Sequence, residues 1–161
     1  MLIRPFRAGE ELALHALFHA SVHQLALEHY SPQQLQAWAP AGFDAEAWAA
    51  RIRHNRPWVA EDGEGLLGFA DLQADGWIDQ LFVAAHAARR GVGSALLRFL
   101  IAQARQRGMP QLAADVSLTA EPLFLRHGFV VVQRQQALRA GVALDNARML
   151  RVLSTGSAAS P

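Results

Sequence analysis

The chain has 161 residues, 52% of them hydrophobic, with a formal net charge of +1 and no cysteine. That is material for one globular domain with a single core, and the near-zero charge argues against a nucleic-acid-coating surface or an acidic partner. The missing cysteines exclude disulfides, thiol nucleophiles and cysteine metal sites.

Arg4, Arg7, Glu10 and Glu11 stand where a signal peptide needs an unbroken apolar core. No apolar run reaches the ~18 residues of a membrane span. A cytoplasmic protein without a membrane or nucleic-acid partner is therefore expected. Leu2–Phe6 reads as a short strand that Pro5 confines to an edge or an end. Glu10–Leu27 reads as an amphipathic helix with Leu14, Leu17, Phe18, Val22 and Leu25 on one side. On it His15, His19 and His23 recur every four residues and stack on one face. Histidines so spaced bind zinc in other proteins, but no glutamate partners them and no third ligand is evident, so polar positions without a metal are expected.

Ser31 before Pro32 is an N-cap followed by proline at the first helical position, opening a helix over Pro32–Trp38. Asp44 caps another over Ala45–Asn55, with Trp48 and Ile52 inward. Three antiparallel strands follow, Pro57–Glu61, Leu66–Gln73 and Trp77–Val83, joined by turns at Glu61–Gly65 and Ala74–Gly76. A glycine-bearing connector then opens a helix over Val92–Arg107 that ends at Gly108. The strand Gln111–Val116, a helix over Ala120–His127 and strands Phe129–Leu138 and Asp145–Leu153 complete a domain over residues 1–153. Residues 154–161, small and polar, read as a flexible tail.

The connector carries the clearest chemistry. A helix start leaves N–H groups without intrahelical partners and bears a positive dipole end. Gly91 and Gly93 would let a phosphate approach those groups, beside Arg89, Arg90, Val92 and Ser94. A diphosphate is the natural guest; a tight strand-to-helix turn without a ligand is the alternative. A P-loop would need a lysine here, and a dinucleotide fingerprint a third glycine after a first strand. Neither fits.

The run Arg89-Arg90-Gly91-Val92-Gly93-Ser94, preceded by Leu81-Phe82-Val83, resembles the acyl-CoA motif of the GNAT acetyltransferase superfamily, written Q/R-x-x-G-x-G/A. Ala88 departs from its first position, while Arg90, Gly93 and Ala95 satisfy a second register. His29–Gln34, Ala37–Ala39, Trp58–Ala60, Gly68-Phe69, Ile78-Asp79, Asp115–Ser117, Thr119-Ala120, Gly128-Phe129 and Asn146 resemble a bacterial branch, the YafP-like acetyltransferases.

The resemblance implies an α/β (α+β) GNAT fold: a mixed, mostly antiparallel sheet of six to seven strands, four to five helices, and central parallel strands that splay. It implies acetyl-CoA as cosubstrate, no metal, and a small-molecule or peptide amine as acceptor; a homodimer is compatible with it. Backbone groups of Leu81, Phe82 and Val83 would pair with pantetheine. Asp79, on an otherwise apolar strand face, would be the base with a raised pKa; a structural carboxylate is the other reading. The family's acidic tyrosine position is Phe124, here a cofactor contact, which leaves Ser117, Tyr30 or His29 as acid, or a thiolate that leaves with help from water. His23, His29, Tyr30, Trp38, Asp115 and Asn146 would form the acceptor site, though Trp38 reads equally as core and Asp115 as a cap. A non-catalytic acyl-CoA sensor and an acetyltransferase acting on a macromolecule are the competing functions.

Overall fold

The computed structural model describes residues 1–153, so the tail expected at 154–161 lies outside the described residues. In chain order the elements are β1 (Leu2–Pro5), α1 (Glu11–Leu25), α2 (Pro32–Trp38), α3 (Ala45–Asn55), β2 (Trp58–Asp62), β3 (Gly65–Ala70), β4 (Trp77–Ile78), β5 (Leu81–Val83), α4 (Val92–Gln106), β6 (Gln111–Ser117), α5 (Glu121–Arg126), β7 (Val130–Arg139) and β8 (Val142–Val152). The strands form two four-stranded sheets, ordered β1-β2-β3-β5 and β4-β6-β8-β7. All pairings are antiparallel except β4 with β6.

Local chemistry explains the ends of the elements. At α2 the Ser31 hydroxyl accepts from the Gln34 N–H while the Gln34 side chain accepts from the Ser31 N–H, a reciprocal cap. Asp44 accepts from the Ala47 N–H at 3.0 Å and starts α3. Pro5, which has no N–H to donate, sits in β1 at the edge of the first sheet. The core lies between sheets and helices. Leu96, Leu97 and Leu100 of α4 meet Val59 and Phe69 of the first sheet and Leu112 and Met149 of the second within one buried cluster.

One expected element is divided. The strand predicted over Trp77–Val83 breaks at Asp79-Gln80, so Ile78 pairs with β6 in one sheet and Leu81 with β3 in the other. The cause is Asp71, a fully buried carboxylate just past β3. Its Oδ1 accepts from the Asp79 N–H at 2.9 Å and from the Gln73 side chain at 2.9 Å; its Oδ2 accepts from the Gln80 N–H at 2.8 Å. A side chain thus takes the place of the main-chain acceptor that a continuous ladder would supply. The strand predicted over Leu66–Gln73 stops short for the same reason. Burial pushes the Asp71 carboxyl up to about 6, against the pull of the three donors it accepts from.

Asp71→Ala would remove the acceptor of three donors, of which the buried Gln80 N–H alone is worth about 1–3 kcal/mol when left unpaired. A urea titration should show a loss of at least about 1–3 kcal/mol at neutral pH. Because burial raises the native pKa of Asp71, its contribution is fully present below the ordinary carboxylate range and is lost as pH rises toward about 6. The stability margin of the wild type over Asp71→Ala should therefore narrow across that window and then level. A margin that widens across it would contradict this account.

Candidate active site

The strand break opens the site. β5 pairs on one side with β3, and among the described residues its other edge has no strand against it. In the antiparallel ladder Ala84 N–H donates to Leu67 and Asp71 N–H donates to Gln80. Alternation along that ladder turns the main-chain groups of Leu81 and Val83 away from β3, toward the open side. Across the gap stands the end of β6 with Ser117. Between them is an apolar slot of about 160 Å³ lined by Phe82, Val83, Leu25, Ala120 and Leu123.

At one end the slot widens into a groove of about 700 Å³ that reaches the start of α4, where Arg89, Gly91, Val92, Gly93 and Ser94 line it. Gly91 is the N-cap, at φ +80, and no side chain caps the helix. Glycine adopts that left-handed conformation without the Cβ penalty. The first-turn N–H groups of α4 therefore lack a side-chain partner and stand at the groove. A Cβ on Gly93 would lie 2.9 Å from Leu123 Cδ2 and 3.5 Å from Val83 Cγ2, so the missing side chain leaves the floor of the passage clear. The two arginines diverge: Arg89 lines the groove, whereas Arg90 turns to Asp62 at 3.4 Å.

At the other end the slot meets a cleft of about 470 Å³, sharing Trp38, Phe82 and Ser117 with it. Asp79, Asp115, Tyr30 and Asn146 line this cleft, as does Ser117. The raised pKa expected for Asp79 is overturned. Burial pushes its carboxyl up, but Arg51 Nε at 2.9 Å and Asn55 Nδ2 at 2.7 Å outweigh that and hold it below the usual carboxylate range. The face-sharing argument fails too, because the strand ends before Asp79. Asp115 is held by Arg148 through two bonds, at 2.8 and 3.1 Å.

Ser117 Oγ accepts from the Ala120 N–H at 3.1 Å, which leaves its own hydrogen free to donate. Tyr30 is differently placed from what an acid requires. Its O–H donates to the Asp145 carbonyl at 2.5 Å and accepts from the Leu118 N–H at 3.0 Å, so its proton is already committed. Burial also pushes its hydroxyl up. Asn146 stands opposite Ser117 in register, with a buried Oδ1 that has no hydrogen-bond partner among the described residues.

Two expected acceptor positions, His23 and His29, fall outside the acceptor cleft, and the expected cofactor contact Phe124 does not line the slot. His23 Nε2 contacts the Ala39 carbonyl at 2.7 Å and stacks on His19, tying α1 to the end of α2. His29 meets Thr119 at 3.1 Å on the groove side, toward α4. Phe124 is buried edge-on against Phe129, and its neighbour Leu123 takes the lining position instead. His15 stacks on Phe43 with ring centroids 3.4 Å apart and meets Trp48 edge-on, so the histidine column is used for packing.

Sequence reasoning passed over Asp71, Arg51, Asn55, Leu123 and Arg139. Arg51 and Asn55 did carry a signal, since residues four apart share a helix face and both reach Asp79. Arg139, at the end of β7, lines the cleft from the opposite sheet. Every one of the 15 basic side chains is arginine; the chain has no lysine.

A family model described as an acetyltransferase (GNAT) domain matches residues 26–149. The chain is 37% identical over 144 residues to the uncharacterized N-acetyltransferase YafP of Escherichia coli K12, covering 89% of this chain and 91% of that protein. It superposes on a crystal structure of a GCN5-related N-acetyltransferase from Rhodopseudomonas palustris with a TM-score of 0.90 and 33% identity, over 94% of this chain and 95% of that one. The protein yncA of Salmonella typhimurium, solved with its cofactor acetyl-CoA, shares the fold at a TM-score of 0.67 and 22% identity, over 100% and 97% of the two chains. Among the described residues no helix is long and apolar enough to cross a membrane.

Arg51 is the larger of the two partners that hold Asp79 down. Arg51→Met should therefore raise the Asp79 pKa, read from carboxyl-carbon chemical shifts across a pH titration. With its pKa depressed, Asp79 contributes stability above the ordinary carboxylate range that is lost as pH falls through its native value. The variant should lose part of that acid-sensitive contribution. An unmoved Asp79 titration would refute the pairing.

Proposed function

Because the chain belongs to the GNAT acetyltransferase family, we propose that it transfers the acetyl group of acetyl-CoA to an amine by direct attack, within the passage that runs from the start of α4 to the cleft. The observation that carries this is continuity. An uncapped helix start, a slot edged by unpaired main-chain groups and a polar cleft lie end to end and share lining residues. Those three parts suit a diphosphate, a pantetheine arm and an acceptor in that order.

The amides of Gly91–Ser94 hold the diphosphate, with Arg89 adding a forked cation at the mouth. Leu81 and Val83 offer main-chain groups to the pantetheine amides in the manner of a missing strand. The thioester then lies near Phe82 and Ser117, where slot and cleft join. The Leu81 N–H, turned to the open side, is the donor for the oxyanion that forms when the amine attacks.

Asp79 acts as an anion rather than as a store for the proton. A carboxylate held below its ordinary range is a weak base, so it draws the protonated amine and releases the proton to water. The neutral amine bonds to the acetyl carbon and gives its surplus proton to water, the C–S bond breaks, and the thiolate takes the Ser117 hydroxyl proton, which solvent restores. Tyr30 braces the site by joining Leu118 to Asp145. Trp38 packs edge-on to Tyr30 at 5.5 Å and walls the junction.

Gly93→Val should weaken coenzyme A binding by about 1–3 kcal/mol in calorimetry, because its side chain must displace Leu123 and narrow the passage. Ser117→Ala should keep coenzyme A affinity while kcat, followed by thiol release, drops about 100-fold or more. Wild-type protein that binds coenzyme A but releases no thiol with any amine would reduce it to an acyl-CoA sensor.

A further inference from the structure

We propose that the acceptor is a small amine that also carries a carboxylate, and that Arg139 receives that carboxylate. The inference rests on the acetyl-transfer reading and concerns only its acceptor end. Arg51, Arg139 and Arg148 face the cleft together with Asp79 and Asp115. The pairing among them is uneven. Asp79 is taken by Arg51, and Asp115 by Arg148 in a two-bond fork. Arg139 forms no ion pair among the described residues, and its side chain bonds only to the Leu138 carbonyl, at 3.0 Å. Its charge still reaches across the cleft, since it is among the groups that depress Asp79. One uncompensated guanidinium therefore borders the space in which the acceptor must sit.

Charge counting selects the ligand. A diamine or a basic peptide would bring a second cation to a cleft where Asp79 already draws the first and Asp115 is held by Arg148, and would meet Arg139 with like charge. A phosphate carries about −1.5 to −2 charges at neutral pH, more than one free guanidinium matches. A carboxylate carries one, and its two oxygens fit the planar fork of arginine through parallel bonds. Phe18, Trp38 and Phe82 offer apolar faces for a carbon skeleton between the two ends. A volume of about 470 Å³ suits a small molecule.

The test compares amino acids with the amines left by removing their α-carboxyl group, and with aminoalkyl phosphates, by thiol release from acetyl-CoA. Wild-type enzyme should favour an amino acid over its decarboxylated partner by about tenfold or more in kcat/KM, the effect of a charge-assisted bond. Arg139→Gln should bring that ratio down toward one, chiefly through KM, and Arg139→Lys should restore part of it. Equal use of both compounds by the wild type, or a ratio that Arg139→Gln leaves unchanged, overturns the carboxylate assignment while acetyl transfer stands. Preference for the aminoalkyl phosphates overturns it as well. Coenzyme A binding without turnover of any amine overturns the transfer reading, and this inference with it.

Discussion

The candidate active site depends on one buried carboxylate. Asp71 takes the N–H groups of two successive residues that a regular strand would have given to its neighbours. Placing an ion in the interior is costly, and here that cost is met by three donors rather than by a counter-charge. The result is a single backbone segment that belongs to two sheets. Ile78 follows β6 and Leu81 follows β3, so the strands diverge beside the apolar slot. Without that divergence β5 and β6 would pair, and the edge groups of Leu81 and Val83 would be satisfied by protein.

The same segment sets the electrostatics of the cleft. Asp79 is carried out of the strand by the break and meets Arg51 and Asn55 from α3, so it stays ionised rather than raised into the range of a proton store. Asp115 is neutralised by Arg148, which also lies over Trp77 at 5.1 Å. Both carboxylates are thus structural partners first. The groove at α4 works differently, because no side chain competes for its amides. One end of the passage offers unpaired donors and the other offers matched pairs with a single guanidinium left over.

Much of the fold was legible because its signals are local. Ser31-Pro32, Asp44 and Gly91 announce helix starts through chemistry that needs no partner far along the chain. The residues around the α4 turn could be named for the same reason. The strand break could not, since Trp77–Val83 has the apolar composition of a strand and only Asp71, reaching across from β3, interrupts it. Asp79 was misjudged because a strand pattern describes neighbours on a face and not a helix packed beside it. Tyr30 shows the limit in another form. Its residue type suits an acid, but its proton is spent on a carbonyl 115 positions away.

The exclusive use of arginine has a chemical consequence for an enzyme that handles an activated acetyl group. A lysine beside that donor would be a competing nucleophile, able to lose its charge by acylation. A guanidinium stays protonated and does not react, so Arg51, Arg89, Arg139 and Arg148 keep their charge through every turnover. The walls of the passage are inert toward an activated acyl group.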